Sequence, residues 1–275
     1  GEISAEEAEA VTEISASMLN IASTVGIEYF KNLESVDLSY NKLTSIDLSH
    51  SQKLKTVAGS GNKIADINVD GLAKLETLDC SSNKIEALNI SESKDLKTLN
   101  CNSNQIGSLV LNNNKELTEL QCNNNNLTTL NLKNNTKLET LYCRKNSIST
   151  IDVSGIPSLI NLDFSSNAIS SVNLYKSANL ENLYCASNQL TSLDISSCAK
   201  LITLDCGGNS IATLVTAKNQ VLESVDCSSN ALTRLDVSAN ATLLSVTCDK
   251  NAAMTKLWVK NAAQKDALTI KKDET

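Results

Sequence analysis

Nine cysteines are the residues of this 275-residue chain whose chemistry is most open to interpretation. Thiolates bind metals, act as nucleophiles and form disulfides, so their spacing decides which chemistry is available. Eight of them share one phase of a 21-residue spacing: Cys80, Cys101, Cys122, Cys143, Cys185, Cys206, Cys227 and Cys248. Leu38, Gly59 and Phe164 occupy the same phase elsewhere, so the position behaves as a core position and we predict buried, free thiols.

Disulfides and a metal site are not expected from this row. A disulfide needs a dihedral angle of about 90°, whereas equivalent side chains on stacked strands point the same way. Zinc needs ligands that converge as a tetrahedron, whereas a row of repeats supplies a line. Cys198, in the segment SSCAK, lies off the row, and we predict that it is the most exposed and most reactive thiol.

The single histidine, His50, offers the only other starting point for catalysis. Its equivalents in the following repeats are Gly71, Glu92 and Asn113, and no Ser/His/Asp or Cys/His set can be assembled around it. The chain also lacks a glycine-rich phosphate loop and an EF-hand loop. We therefore predict a protein that is not an enzyme and needs no cofactor or metal.

Eleven asparagines recur in the same 21-residue register without insertion or deletion: Asn41, Asn62, Asn83, Asn104, Asn125, Asn146, Asn167, Asn188, Asn209, Asn230 and Asn251. An amide carries both donors and acceptors, and buried backbone groups at turns must be paired. We predict that these side chains form a structural ladder of buried hydrogen bonds.

The elements that position these residues follow from one repeat, LETLDCSSNKIEALNIS, which runs from Leu75 to Ser91. Leu78 and Cys80 alternate with Thr77, Asp79 and Ser81, which predicts a strand with two inward and three outward side chains. Repetition every 21 residues stacks such strands into a parallel sheet at about 4.8 Å. A turn follows at Asn83, and the segment 88–90 is a candidate second strand on the far side of each coil.

The whole repeat reads L-x-x-L-x-C-x-x-N-x-[IL]-x-x-L-x-[VIL]-S-x-x-x-x. It resembles the leucine-rich repeat, at the short end of that family's lengths. The half L-T-S-L-D-[LIV]-S is similar to repeats from secreted or surface proteins of gut-type Gram-negative bacteria, and GIEYFKNL (26–33) resembles internalin-like repeats of bacterial surface proteins. The resemblance implies a leucine-rich-repeat solenoid, α/β by convention but mostly β and turn. It is expected to be a right-handed open coil with a parallel concave sheet and a short N-terminal helical cap.

Three segments are predicted along the chain. Residues 1–32 form a helical cap and a degenerate first coil, residues 33–252 the repeats, and residues 253–275 a C-terminal cap of one or more strands. Ser4 and Glu7 have capping-box spacing before a helix predicted from Ala5 to about Val11. At the other end, 254–259 is a half-coil shifted by one residue, and 268–272 alternates like a closing strand.

Composition restricts the partners and the location. The net charge of −7 and pI near 4.9 argue against nucleic acid or an anionic membrane as the partner. No run of about 18 apolar residues is present, so no membrane insertion is expected. No signal peptide is visible and the first residue is Gly1. We expect a mature or trimmed form of an extracellular or cell-surface protein that is monomeric.

Two outward polar rows have other candidate roles. An Asp/Asn row could in principle attract Ca²⁺, which needs six to eight converging oxygens, so we predict a solvated row instead: Asp47, Asn68, Asn89, Asn131, Asp152, Asn173, Asp194 and Asp236. A neighbouring Ser/Thr row has the regularity of an ice-binding face but is interrupted by Asp66, Glu86, Gly107 and Arg234.

The central repeats depart from the usual outward Ser/Thr, Asp and Ser. These departures are Glu119, Gln121, Asn123, Tyr142, Arg144, Lys145, Asp163 and Tyr184. Tyr142 and Tyr184 share a phase two coils apart, about 10 Å by strand spacing, and aromatic residues are only 3% of the chain. These residue types are enriched at binding hot spots, so we predict a contact strip, with neutral variation of solvated positions as the alternative.

The predicted function is therefore non-catalytic protein–protein recognition through the concave sheet face. Three alternatives stay open at this point. One is a structural or assembly repeat region of a larger surface protein, and another is a glycan-binding module. The third is an enzyme or regulatory subunit that lacks catalytic residues of its own.

Overall fold

The computed structural model describes residues 3–271. The chain divides into two compact units, unit 1 (residues 1–138) and unit 2 (residues 139–275). Each unit is described separately below. None of the described helices is long and apolar enough to cross a membrane.

Unit 1 is made of short strands linked by tight turns. It contains helix α1 (Ala5–Ala10), a 3₁₀ turn (Ile27–Tyr29) and eight strands: β1 (Glu13–Ser15), β2 (Ser35–Asp37), β3 (Ser45–Asp47), β4 (Thr56–Ala58), β5 (Asp66–Asn68), β6 (Thr77–Asp79), β7 (Thr98–Asn100) and β8 (Glu119–Gln121). The main sheet is parallel, in the order β1-β2-β4-β6-β7-β8, and β3 and β5 form a second, two-stranded parallel sheet.

Unit 2 repeats this plan. Its strands are β9 (Thr140–Tyr142), β10 (Asn161–Asp163), β11 (Asn182–Tyr184), β12 (Thr203–Asp205), β13 (Ser224–Asp226), β14 (Arg234–Asp236), β15 (Ser245–Thr247), β16 (Lys256–Trp258) and β17 (Thr269–Lys271), with helix α2 (Ala262–Ala267) before the last. The main parallel sheet runs β9-β10-β11-β12-β13-β15-β17, and β14 pairs with β16 in a second sheet. Both units confirm the predicted leucine-rich-repeat solenoid.

The alternation of buried and exposed side chains explains why each coil forms a strand here. Leu78 and Cys80 are fully buried, whereas Thr77 and Asp79 on the same strand are half-buried on the outward face. Leu75, Ile85 and Ile90 fill the remaining interior of the coil. Because the coils of each unit repeat this set at the same spacing, neighbouring coils within a unit stack leucine on leucine and bury an apolar core.

A tight turn with a left-handed residue ends each main-sheet strand of the repeats. The residue before the ladder asparagine has φ near +55° in most coils, for example at Ser82, Ser103 and Ser187. Glycine occupies the position only at Gly61 and Gly208. A non-glycine residue in this region costs about 1–3 kcal/mol, so the surrounding hydrogen bonds must hold the turn in place.

The N-terminal cap matches the predicted capping box. The Ser4 N–H donates to Glu7 Oε2 at 2.8 Å, and the Glu7 N–H donates to Ser4 Oγ at 3.2 Å. Helix α1 ends at Ala10, one residue earlier than predicted. Strand β1 then pairs with β2 at an offset of 22 residues, Glu13 opposite Ser35. Gly1 and Glu2 of the predicted cap lie outside the described residues.

The C-terminal end departs further from the repeat. Strand β16 pairs with β14 at an offset of 22 residues, as the predicted one-residue shift requires. Strand β17 pairs with β15 at an offset of 24, since helix α2, which was not predicted, occupies the last connection. Within the predicted closing strand 268–272, strand β17 comprises Thr269–Lys271, and residues 272–275 of the predicted cap lie outside the described residues.

The predicted second strand forms only near the ends of the described chain. Strands β3, β5, β14 and β16 are present, whereas the repeat at 88–90 has no strand and only an isolated bridge joins Ala87 to Ser108.

Candidate functional site

The cysteines are buried in the core of both units. All nine are free and buried. Burial raises the pKa of Cys101 and of Cys227 to about 12. Leu38 and Phe164, at the same phase, are buried as well. Among residues 3–271, no three His, Cys, Asp or Glu side chains converge on a point that could hold a metal ion.

The prediction that Cys198 is exposed and reactive is wrong. Its side chain is fully buried, and burial, with a smaller contribution from the charge of Asp194, raises its pKa to about 11. The reason is a second inward phase that the sequence analysis missed. This phase is buried in both units: Ser51, Leu72, Ser93, Asn114 and Asn135 in unit 1, and Ile156, Ser177, Cys198, Asn219 and Asn240 in unit 2.

This second row is only partly hydrogen-bonded. Asn114 Nδ2 donates to the carbonyls of Ile90 and Ser93 at 2.9 and 2.8 Å, and Asn219 Nδ2 donates to those of Ile195 and Cys198 at 3.0 and 2.7 Å. The side-chain oxygens of Asn114 and Asn219 are buried without a partner among the described residues. Because the amide oxygen has no hydrogen-bond partner, asparagine contributes little net stability at this position. This explains why Leu72 and Ile156 can occupy the same phase.

The ladder asparagines are more completely paired. Asn83 Nδ2 donates to the carbonyls of Cys80, Ser81 and Gly59 at 3.1, 3.0 and 2.9 Å, and its Oδ1 accepts the Ile64 N–H at 2.9 Å. One side chain thus ties its own turn to the preceding coil. Four such bonds recur at Asn104 in unit 1 and at Asn188 in unit 2.

The burial of the ladder asparagines varies along the chain. Asn104 is buried, as predicted, but Asn83 and Asn188 are half-buried. Their side chains nevertheless make the same set of bonds, so the ladder position is defined by its partners rather than by complete exclusion from water.

His50 lies in an exposed loop beside a short polar chain. Ser49 Oγ donates to Asp47 Oδ1 at 2.8 Å, and His50 Nδ1 lies 3.4 Å from Ser49 Oγ. In a catalytic triad the imidazole stands between serine and carboxylate and takes the serine proton. Here the serine is bonded directly to the carboxylate, so this arrangement does not activate it.

The outward Asp/Asn row caps turns. Asp47 Oδ1 accepts the Ser49 N–H at 3.0 Å, and Asp236 Oδ1 accepts the Ser238 N–H at 2.9 Å. Such hydrogen bonds lower the pKa of these carboxyls. At two positions of the same phase, which the sequence analysis missed, the residue is an exposed valine, Val110 or Val215. A valine side chain cannot accept this hydrogen bond.

In unit 2 the predicted contact residues lie side by side on the outward face of the main sheet. Tyr142 is directly opposite Asp163, which in turn is opposite Tyr184. Asp205 and Asp226 continue the same row on β12 and β13. We name these five residues the Tyr–Asp surface; all five are half-buried.

Two cations of the predicted strip follow strand β9. Arg144 and Lys145 are both exposed, and Lys145 has φ +53°, so its backbone belongs to the left-handed turn. The positive charge of Arg144 lowers the pKa of Asp205, although other effects on that carboxyl are larger. Arg144 therefore acts on the electrostatics of the Tyr–Asp surface.

Asp205 is under electrostatic stress within this surface. Burial raises its pKa, and the neighbouring carboxylates of Asp226 and Asp163 raise it further, against the opposing hydrogen bond from the Gly207 N–H. Like charges directly opposite each other on neighbouring strands are destabilising. The surface therefore carries closely spaced negative charge that a positively charged partner group would relieve.

We expect Asp205→Asn to stabilise the protein at neutral pH and not in acid. Above the ordinary aspartate pKa of about 3.9, the raised folded-state pKa makes the folded chain bind more protons, so stability falls as pH rises through this window. Removing the charge should raise the free energy of unfolding by about 0.5 kcal/mol at about pH 7, with no gain near pH 3. Urea unfolding at both pH values measures this.

Asp79→Asn is the matched control for this variant. Asp79 lies at the same phase in unit 1, opposite the uncharged Ala58 and Asn100. It should show no gain at neutral pH. An equal gain in both variants would mean that the stress on Asp205 does not come from its acidic neighbours.

In unit 1 the predicted contact residues form hydrogen bonds with one another and with Asn102. Gln121 Nε2 donates to Glu119 Oε1, and Gln121 Oε1 accepts from Asn102 Nδ2 at 2.9 Å. Asn102 Oδ1 accepts the Asn123 N–H at 2.6 Å. The residues of the predicted strip thus fall into two units, and in unit 1 their polar groups are already engaged.

Comparison with known proteins agrees with this architecture. A Leucine Rich Repeat model matches residues 32–54, and a two-copy Leucine Rich Repeats model matches residues 178–219. No curated protein matches the chain by sequence.

Several solved structures are similar. The functional domain of InlJ from Listeria monocytogenes, described as including a cysteine ladder, is 30% identical with a TM-score of 0.91, over 93% of this chain and 57% of that one. The chain therefore spans little more than half of that domain. The internalin InlF of the same organism is 22% identical, with a TM-score of 0.70, over 94% and 90%. A plant peptide hormone receptor, RGFR1 in complex with RGF2, is 23% identical, with a TM-score of 0.73, over 84% and 41%.

The InlJ similarity combines the fold with a cysteine ladder in one comparison, whereas the other two show the fold alone. Together with the repeat models, these observations identify the chain as an internalin-like leucine-rich repeat protein.

Proposed function

We propose that this chain is a non-catalytic scaffold that binds a protein partner through the Tyr–Asp surface of unit 2. The observation that carries the proposal is the register of β9, β10 and β11, which sets Tyr142 and Tyr184 on either side of Asp163. In most other coils the residue at this phase is Asp or Asn, so the fold does not require the tyrosines.

The surface has the properties of a binding hot spot. Tyrosine offers a large contact area at a low cost in conformational entropy, and Tyr and Arg are enriched at hot spots. The main sheet of unit 2 is held in place by the hydrogen bonds of the ladder asparagines, so the side chains of the Tyr–Asp surface project from a rigid backbone. The clustered carboxylates Asp163, Asp205 and Asp226 favour a partner with basic side chains, because such a partner would relieve their repulsion.

The similar structures support the same class of function. RGFR1, a plant peptide hormone receptor with the same fold, was solved in complex with RGF2. The similarity to InlJ and InlF supports our proposal that the chain works outside the cell or on its surface. We also propose that it is a monomer. We further propose that residues 1–32 and 253–275 cover the ends of the repeats, because terminal coils would otherwise expose apolar core.

Simultaneous replacement of Tyr142, Arg144 and Tyr184 by alanine is expected to weaken partner binding strongly without unfolding the chain. Loss of two hot-spot tyrosines and one arginine should weaken binding about 100-fold or more. A partner is first captured with a photo-crosslinking amino acid at position 142, from intact cells and secreted fractions, and the affinity of each variant is then measured.

Tyr175→Ala with Lys176→Ala is the matched control. It also removes a tyrosine and a cation from unit 2, but at exposed positions outside the main sheet. Affinity that is unchanged in the triple variant would exclude the Tyr–Asp surface. A chain that captures no partner from position 142 would instead favour the structural role, as a repeat region of a larger surface protein.

A further inference from the structure

A second candidate site lies away from the Tyr–Asp surface, against the β14–β16 sheet of unit 2. A cavity of about 590 Å³ opens there, within the size range of small-ligand sites. Its walls include Thr213, Val215, Arg234, Asp236, Ser238 and Trp258. Trp258 is the only tryptophan of the chain and keeps 40% of its surface exposed.

Three departures from the repeat meet at this cavity. Val215 replaces the Asp or Asn that caps the turn in most other coils, and it is 65% exposed. Arg234 occupies a phase at which the preceding coils have Ser192 and Thr213. The 22-residue offset between β14 and β16 sets Trp258 directly opposite Asp236. The scaffold requires none of these changes, since other coils fold without them.

The walls combine an aromatic ring with both signs of charge. Lys256 Nζ lies 5.7 Å from the centre of the Trp258 ring, so the ring attracts positively polarised groups. Asp236 accepts hydrogen bonds from Ser238, which lower the pKa of its carboxyl and keep it ionised. Arg234 is exposed, and among the described residues its guanidinium forms no ion pair.

These groups narrow the class of ligand. A ligand with only negative charge would be repelled by Asp236, and one with only positive charge by Arg234 and Lys256. A neutral sugar is compatible with both charged side chains, because its hydroxyls can donate to the Asp236 carboxylate and accept from the Arg234 guanidinium. Its apolar C–H face carries slightly positive hydrogens that suit the negative face of an indole.

We propose that the cavity between Val215, Arg234, Asp236 and Trp258 binds a neutral pyranose unit of a glycan chain. Arg234 and Asp236 bond to the sugar hydroxyls, and Trp258 packs against the sugar ring. The site is independent of the Tyr–Asp surface, so either can fail without the other.

Trp258 fluorescence provides a direct test, because no other tryptophan contributes. The chain is titrated separately with neutral hexasaccharides of glucose, mannose, galactose and xylose at millimolar concentrations. We expect a saturating change in emission with at least one of them. Arg234→Thr and Val215→Asn, which restore the residue types of other coils and so preserve the fold, should raise the Kd at least about tenfold.

Two further variants test the ring itself by calorimetry. Trp258→Asn should abolish binding, whereas Trp258→Phe should retain part of it because an aromatic face remains. The matched control is Val110→Asn, which makes the same change at the same phase in unit 1 and should leave the Kd unchanged.

Other outcomes overturn the proposal. Absence of binding to all four neutral hexasaccharides would show that the cavity is only a consequence of irregular packing. Binding confined to hexagalacturonate or to a chitosan hexamer would exclude a neutral ligand. A Kd that does not respond to Arg234→Thr and Val215→Asn would place the sugar elsewhere.

Discussion

Asn104→Leu is expected to lower the free energy of unfolding of the repeats in unit 1 by about 3 kcal/mol. Asn104 Oδ1 accepts the N–H of the fully buried Ile85 at 3.0 Å, the bond that holds this amide. Leucine leaves that donor without a partner, which alone costs about 1–3 kcal/mol. The three bonds donated by Asn104 Nδ2 are lost in addition.

Two of the carbonyls that accept hydrogen bonds from Asn104 have a second donor, which reduces the cost of the substitution. The Cys80 carbonyl also accepts from Asn83, and the Cys101 carbonyl also accepts from Asn125, so each keeps one partner in the variant. The expected cost is therefore dominated by the Ile85 N–H rather than by the sum of four bonds. Urea unfolding followed by circular dichroism measures the total, and hydrogen exchange at the Ile85 amide locates it.

Asn113→Leu provides the comparison for this prediction. Asn113 is exposed and makes a single bond to the Ser91 carbonyl at 2.9 Å, so its replacement should cost no more than about 0.5 kcal/mol. If Asn104→Leu costs as little as Asn113→Leu, or if exchange at Ile85 is unchanged, the ladder hydrogen bond does not stabilise the turn.

The constant period explains how much of the fold could be predicted. Because every repeat from residue 33 to residue 252 has the same length, equivalent residues must fall on neighbouring strands. This places Tyr142, Asp163 and Tyr184 in one row from the sequence alone. The same logic failed for Cys198, since its phase mixes Ser, Asn, Leu and Ile and shows no hydrophobic period. Only the buried backbone carbonyls of the turn reveal why polar side chains are tolerated there.

The remaining features depend on geometry that the repeat pattern does not encode. The internal pairing of Glu119 and Gln121 depends on side-chain rotamers. The cavity beside Trp258 depends on an offset of 22 rather than 21 residues between β14 and β16. The sequence shows this one-residue shift, but the size of the cavity cannot be predicted from it. Val110 and Val215 interrupt the Asp/Asn row, and the sequence analysis missed them because only their exposure distinguishes them from core residues.

Phe164→Ala is expected to have the largest effect of any single core substitution considered, lowering the free energy of unfolding of unit 2 by about 4 kcal/mol. Phe164 is the largest of the fully buried side chains and fills a position that holds Cys143 and Cys185 in the adjacent coils. Alanine removes the ring but not its surroundings, so a cavity remains and the lining loses its dispersion contacts. Unfolding in urea, followed by Trp258 emission in unit 2, measures the loss.

Phe164→Cys tests whether this coil accepts the residue type that is usual at this phase, or whether its surroundings are packed specifically around a phenyl ring. Cysteine is the usual residue at this phase, so a coil that could relax to the standard shape would accept it at little cost. Since the surrounding side chains pack around a phenyl ring, we expect Phe164→Cys to remain at least about 2 kcal/mol less stable than the parent.

Excess benzene should restore part of the stability of Phe164→Ala, because dry apolar cavities bind benzene. Tyr175→Ala, at an aromatic residue that is 76% exposed, should change stability by less than about 0.5 kcal/mol. Parental stability in Phe164→Cys would show instead that the cysteine row and the phenylalanine are interchangeable, and that the coil adapts to whichever side chain it holds.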